Sequence, residues 1–368
     1  MHIVFDARIH LSHITGISKY IINLLLNILK IDNQNIYTIL INPTLSENDL
    51  LIKTLVSFEN VNFQVVHLPH FGPVNYIQMP SIIRKIKPSV YHYPHLDAPI
   101  SGIPTIATIH DSNFKNNIKK YNDKFGIKTL YFKYALKNTL TKSNRIVFVS
   151  ESMKNDTLEN NKDTIVENCR VIYNGLEKDF NEISAHVILA TKEKYQLPDK
   201  FFLFVGQLRE HKNIKRIIDA FNRLNQQEYK LILAGYNYPK NNIKFDFTGV
   251  RYIGMVSDEE IKSLYKLSTC FVFPSLIEGF GIPIIEAMSL GTLVITSNIG
   301  ATKEISGDAA ILVNPYSTAE IQAAMQSIIN NSAPFHKLRE KGIARSKFFN
   351  WEESARKTLG LYQEAAFE

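Results

Sequence analysis

FVFPSLIEGFGIPIIEAMSLG, residues 271–291, is the stretch from which the rest of the chain can be read. A short apolar run, Cys270 to Phe273, has the length and the aromatic and β-branched content of a buried strand, and it stops at Pro274 and Ser275. A loop follows. Gly279 and Gly281 let the backbone approach a ligand or take up φ > 0, Pro283 stands where a first helical residue belongs, and the helix ends at Gly291. Strand, glycine loop and helix N-terminus in that order direct free backbone N–H groups and a positive dipole end toward a place where a phosphate fits.

Two acids bracket the loop. Glu278 precedes the glycines and Glu286 follows eight positions later inside the helix, so each reaches the loop from a different side. Two carboxylates around an anion site repel it unless they bind hydroxyls, which a sugar and a ribose supply. The plainer alternative makes Glu278 a helix cap and Glu286 a solvated helical acid. The glycines and the proline between them favour the nucleotide-sugar reading.

At these residues EGFGIPIIEAM resembles the Glu, seven residues, Glu signature of retaining glycosyltransferase family 4, in its bacterial polysaccharide and lipopolysaccharide form. The resemblance implies the GT-B fold, an α/β architecture of two Rossmann-like doubly wound domains facing each other across a cleft. It implies that Glu278 contacts the donor sugar. The amides of Gly279, Phe280 and Gly281 face sugar and phosphates, and Glu286 holds the ribose hydroxyls.

The chain's 368 residues exceed one ordinary core and fit two domains. Its 45% hydrophobic and 21% charged residues are ordinary for a globular protein. Only Cys169 and Cys270 occur, both in apolar strand-like contexts without a second ligand nearby, which reads as buried thiols of a reducing compartment. MHIVFDARIH reads as a first strand and not a signal peptide, and no apolar run reaches bilayer length, so a cytoplasmic location is expected.

The formal charge of +7 has a local origin. Lys115, Lys119, Lys120, Lys124, Lys128, Lys133, Lys137, Lys142 and Arg145 face only Asp123 between residues 115 and 145. Such a cluster holds a protein at the inner, anionic face of a membrane at about 1 kcal/mol per residue; the alternative is a solvated basic surface. No nucleic-acid partner is expected. Around a helix from Lys124 to Lys142, Ile127, Leu130, Tyr131 and Tyr134 fall on one side and Phe125, Phe132, Leu136 and Leu140 on the other, the pattern of a helix buried on two sides.

In the first half, strands at 2–5, 37–41, 63–67, 90–93, 105–109 and 146–149 alternate with helical segments, which predicts a parallel doubly wound sheet. After the first strand FDARIHLSHITGISKY lacks a dinucleotide fingerprint, which argues against an oxidoreductase. A helix begins at Gly16 with Ile17, Tyr20, Ile21, Leu24 and Ile28 as its apolar series. GISKY is similar to the family's glycine turn, which approaches donor phosphate or acceptor. His110 of TIHD ends a strand where open α/β sheets bind ligands, and by resemblance it is the active-site histidine against the donor sugar. Asp111 is placed to orient its ring and raise its pKa. VIYNGLE, residues 171–177, resembles the segment leading to the interdomain linker, and the polar residues 177–199 fit that passage.

These readings divide the chain into an acceptor-side domain over 1–180, a nucleotide-sugar domain over 181–348, and a last helix over 349–368 that crosses back to the first domain. Trp351 at its start suits either the hinge or ordinary core burial. The second domain restarts with Phe201 to Val205. A helix near Asn213 buries Ile214, Ile217, Ile218, Phe221 and Leu224, so Lys212 stands at its mouth, where a cation neutralises a diphosphate. In the family this lysine grips the pyrophosphate together with an arginine. Here the usual arginine positions hold Gln207 and His211, and Arg209 is the candidate replacement. One missing charge-assisted contact of about 1.5–3 kcal/mol weakens donor handling roughly ten- to a hundredfold. Further strands fit 230–234, 251–253 and 294–296, with helices near 258–267 and over 317–347, and Glu304 at a helix start in a supporting role.

No Asp-x-Asp element occurs, so no metal or other cofactor is expected and Lys212, Arg209 and helix N-termini take the leaving group. The resemblance implies retention by a front-face path in which the departing phosphate takes the acceptor proton. His110 and Glu278 position the sugar. A nucleotide diphosphate sugar, with GDP-mannose ahead of UDP- or dTDP-sugars, is the expected donor, and a glycan or lipid-linked saccharide the acceptor. The alternatives are a sugar-nucleotide epimerase of the same fold and a non-catalytic, membrane-associated partner subunit.

Overall fold

The computed structural model describes residues 1–11, 15–111, 127–224, 226–237, 248–331 and 333–367, without the side chains of 127 and 128. The chain forms two compact units, Met1–Gly175 with Trp351–Glu368, and Leu176–Asn350.

In the first unit β1 (His2–Asp6), α1 (Gly16–Ile31), β2 (Ile36–Ile41), α2 (Leu50–Leu55), β3 (Val61–Val65), α3 (Pro73–Ile86), β4 (Val90–Tyr93), β5 (Thr105–Ile109), α4 (Ile127–Lys142), β6 (Arg145–Phe148), α5 (Glu151–Asn160) and β7 (Cys169–Val171) follow one another. The strands lie parallel in the order β3-β2-β1-β4-β5-β6-β7. Near-continuous apolar runs such as Ile3–Phe5 and Thr105–Ile109 suit a sheet covered on both faces, and both runs are fully buried. The Thr15 hydroxyl accepts from the Ser18 N–H at 3.2 Å and starts α1, whose Tyr20, Ile21, Leu24, Leu25 and Ile28 turn inward.

In the second unit α6 (Ala185–Lys194), β8 (Phe201–Val205), α7 (Ile214–Asn222), β9 (Lys230–Ala234), β10 (Val250–Gly254), α8 (Asp258–Leu267), β11 (Cys270–Phe273), α9 (Ile282–Ser289), β12 (Leu293–Ser297), α10 (Gly300–Ser306), β13 (Ile311–Val313), α11 (Thr318–Asn330) and α12 (His336–Ser346) build a parallel sheet ordered β10-β9-β8-β11-β12-β13. The chain then returns to the first unit as α13 (Trp351–Ala366), which lies along α1. Trp351 is buried in that core, its ring 6.0 Å from Tyr20.

The structure corrects several local expectations. Residues 177–199 are not all connection, because Ser184 caps α6, which packs on α8. Only Thr191 of α6 is buried, so its sequence carries no apolar stripe to announce it. β7 and β13 are three-residue edge strands, too short to show periodicity. Glu304 lies inside α10 and not at its start. Helix α4 is buried on one side only: Phe132, Leu136 and Leu140 face the core while Leu130 and Tyr134 are 69% and 60% exposed.

Of the basic cluster, Lys115, Lys119, Lys120 and Lys124 lie outside the described residues, as do Asp123, Phe125 and the Lys128 side chain. Arg145 does not belong to an open basic surface, since its buried guanidinium donates to Glu364 at 3.0 Å. Lys137 pairs with Asp163 at 2.6 Å. Cys169 and Cys270 are both buried free thiols, and burial pushes Cys169 up to about 11. Among the described residues no helix is long and apolar enough to cross a membrane.

Candidate active site

In the second sheet the strand order reverses between β8 and β11, so the connections leaving their C-terminal ends run to opposite sides and leave a ligand crevice in sheets of this kind. These two connections carry the residues singled out above. After β8 the chain passes Gln207 and Arg209 into a 3-10 turn, Glu210–Lys212, and then Asn213 takes a left-handed conformation at φ 64° before α7. The buried Asn213 amide donates to the carbonyls of Pro274, at 3.0 Å, and Pro315, at 2.6 Å. Leu276 N–H donates to the His211 carbonyl at 2.8 Å. The Asn213 side chain and one backbone bond thereby staple the two loops together, with the connection after β13 tied in through Pro315.

On that staple Lys212 Nζ donates to Glu278 Oε1 at 2.6 Å, with side chains 16% and 11% exposed, and Nζ lies 4.8 Å from the centre of the Phe273 ring. Glu278 is therefore an ion-pair partner and not a helix cap; α9 has no side-chain cap. Gly281 takes φ 108° immediately before α9, and a Cβ there would sit 3.1 Å from Ile284 Cδ1, so both conformation and space call for glycine. Pro283 is the second residue of α9 and not the first. Phe280 is buried edge-on against Phe349 at 5.5 Å, which leaves its backbone as the part a ligand could meet. Glu286 is no solvated acid: it is buried, and Tyr265 Oη donates to its Oε2 at 3.2 Å. Ser275 Oγ, buried between the loops, has no hydrogen-bond partner among the described residues.

The first unit carries the His110 group. Burial pushes His110 down to about 3, with the charge of His95 adding to the effect, so the expectation that Asp111 raises it is corrected. Asp111, two residues past the end of β5, is exposed and does not offset the loss of water. The His110 ring stands edge-on to Tyr20 at 4.4 Å, and its Nε2 has no partner among the described residues. Tyr20 Oη shares a hydrogen bond with Thr108 Oγ1 at 2.9 Å. Thr108 Oγ1 lies 2.8 Å from His92 Nε2, and His92 Nδ1 lies 2.7 Å from Tyr362 Oη of α13. Gly16 is the first residue of α1, and a Cβ there would meet nothing within 4 Å.

Burial, with His110 second, also pushes His92 down to about 3. Between the ordinary 6.5 and about 3 the unfolded chain takes up protons that the folded chain refuses, so stability of the first unit is full above pH 6.5 and declines as the pH falls through that window. Urea midpoints read by Trp351 emission at pH 7, 5 and 4 should fall in that order, and the fall should be shallower in His92→Gln. An equal fall in both proteins would count against the assignment.

Sequence reasoning singled out Lys212, Glu278, Gly281 and Glu286 without finding what holds them. Asn213 and Ser275 escaped it. The left-handed asparagine after Lys212 carries a signal only in hindsight, because Asn favours that conformation.

Residues 189–346 match the model of Glycosyl transferases group 1, and residues 14–180 match that of Glycosyltransferase Family 4. Over 295 residues the chain is 28% identical to O-antigen chain mannosyltransferase B of Escherichia coli, covering 76% of each protein. It is 30% identical over 272 residues to an uncharacterized glycosyltransferase of Methanocaldococcus jannaschii, covering 72% of this chain and 69% of that one. The crystal structure of WaaG, a glycosyltransferase involved in lipopolysaccharide biosynthesis, matches with a TM-score of 0.75 at 12% identity, over 98% of this chain and 99% of that one. Two parallel Rossmann-like sheets, of seven and six strands among the described residues, give the GT-B fold. The chain belongs to glycosyltransferase family 4, with the group 1 segment making up most of its second unit.

Proposed function

We propose that the chain transfers a mannosyl residue from GDP-mannose, with retention of configuration and without a metal, to a saccharide or lipid-linked acceptor in O-antigen or related cell-surface glycan synthesis. The observation that carries the reading is the junction of Lys212 with Glu278 at the strand-order reversal of the second sheet, beside the left-handed Gly281 that opens α9. A lysine and a helix N-terminus suit a diphosphate, and a carboxylate on the same junction suits sugar hydroxyls. The mannosyl choice follows from what the E. coli relative is named for. In this reading the second unit takes the donor. Lys212 and Arg209 balance the leaving diphosphate, Glu278 holds the sugar, the backbone of residues 279–281 faces both, and Glu286 holds the ribose. The first unit takes the acceptor and carries Gly16 and His110.

A screen of thermal stability against nucleoside diphosphates and their sugars tests this, since a ligand at a hundred times its Kd stabilises by about 2.7 kcal/mol. GDP and GDP-mannose should stabilise most. Glu286→Ala removes one charge-assisted contact and should weaken GDP binding by roughly ten- to a hundredfold. A chain stabilised by no nucleotide would end the proposal. Isomerisation of the sugar without an acceptor would favour an epimerase.

The exposed Leu130 and Tyr134 of α4, with Lys133 and Lys142 exposed on the same helix, support a further element of this reading, contact with an anionic membrane surface. Cosedimentation with phosphatidylglycerol vesicles, lost in high salt and absent with phosphatidylcholine, is the expected result; equal behaviour toward both lipids removes this element.

A further inference from the structure

The first sheet also reverses its strand order, between β1 and β4. Beyond β1 the chain closes in on itself, because the fully buried Arg8 donates through Nε and Nη2 to the two Asp6 oxygens at 2.8 and 2.6 Å. Beyond β4 it presents His95. Asp97, wholly buried, accepts from His95 Nδ1 at 2.5 Å, from the Gly72 N–H at 2.9 Å and from Tyr131 Oη at 3.0 Å, while the Tyr93 hydroxyl, 3.2 Å away, donates its proton to the His70 carbonyl at 2.6 Å. Three donors fix that carboxylate, and it fixes the imidazole. With Nδ1 engaged by Asp97, the other ring nitrogen, Nε2, is left for a ligand, since it makes no hydrogen bond among the described residues. The ring is 19% exposed, and the Phe71 ring stacks on it at 5.8 Å and 28° while remaining 43% exposed itself. Register Tyr93↔Ala107 sets β4 beside β5, so the loop bearing His95 leaves the sheet next to His110.

We propose that His95 and Phe71 form a saccharide subsite, His95 Nε2 sharing a hydrogen bond with a sugar hydroxyl and the Phe71 ring packing on the apolar C–H bonds of the same sugar. As the subsite for the acceptor of the transfer, it rests on the reading given under Proposed function. Asp97 is a positioning residue that acts through His95. An oriented ring nitrogen beside a partly exposed aromatic ring matches a pyranose, which offers hydroxyls at its rim and C–H bonds on its faces.

Ligand-detected saturation-transfer NMR on the full chain, with the methyl α-glycosides of mannose, rhamnose, glucose and galactose, tests this without any nucleotide. At least one glycoside should bind, and His95→Ala and Phe71→Ala should each weaken it by about 3- to 10-fold, the worth of one ordinary hydrogen bond. His95→Gln, whose amide can donate or accept, should recover part of the loss. Asp97→Asn should weaken binding in the wild type but add nothing in His95→Ala, whereas a merely structural role would weaken both. Trp351 emission reports that each variant is folded. Binding of none of the four glycosides, or binding unchanged in both His95→Ala and Phe71→Ala, overturns the proposal. If nucleoside diphosphates fail to stabilise the chain while a glycoside still binds through His95, the transferase reading falls and the saccharide subsite stands.

Discussion

Lys212→Ala should lower kcat/KM for the donor by about 100- to 1000-fold, the effect of removing one preorganised charge from a leaving group. Glu278→Gln should act in the opposite direction on binding. Glu278 occupies Lys212 Nζ at 2.6 Å, so a diphosphate must compete with a carboxylate for that ammonium. Removing the negative charge frees Lys212, and nucleoside diphosphate binding should tighten about tenfold while turnover of the nucleotide sugar falls. Titration calorimetry with GDP on the two variants separates the effects. GDP binding by Lys212→Ala at wild-type affinity would remove the lysine from the site, and weaker binding by Glu278→Gln would mean the ion pair organises the loop more than it occupies the cation.

Asp6→Ala should destabilise the first unit by about 3–5 kcal/mol, because it leaves the Arg8 guanidinium buried without its counter-charge. Arg8 would retain its contacts to the Asn75 side chain and the Pro69 carbonyl, neither of which carries charge. Replacing both partners by apolar residues of similar size should recover much of the loss. The only tryptophan, Trp351, lies in the core of this unit, so urea unfolding followed by its emission reads the first unit separately from the second. A midpoint unchanged in Asp6→Ala would show that the pair contributes nothing.

The fold was legible wherever apolar runs were long and bounded. Phe201–Val205 and Cys270–Phe273 read as buried strands and are, and the stripe Ile214, Ile217, Ile218 and Phe221 turns inward as its spacing requires. Elements stabilised by caps and edges were not: α6 buries one residue, and β7 and β13 are three residues long. Helix α4 misled because its second apolar face, Leu130 and Tyr134, is exposed, and periodicity reports a face without saying what lies against it. For the candidate site, sequence spacing gave the order of Glu278, Gly281 and Glu286. It could not tell that Glu278 meets a lysine 66 residues away, or that burial leaves His110 neutral despite the adjacent Asp111. Both depend on packing, which no local pattern encodes.

The return of α13 to the first unit has a consequence for how the protein is made. Leu361, Tyr362 and Ala365 fill the same core as Tyr20 and Leu24, yet the ribosome delivers them after the whole of Leu176–Asn350. While a nascent chain grows, the second unit has all its parts before the first does, and the α1 surface that α13 will cover stays wet until α13 emerges. That interval, and not the finished molecule, is when the amino-terminal half is most open to chaperones and to aggregation.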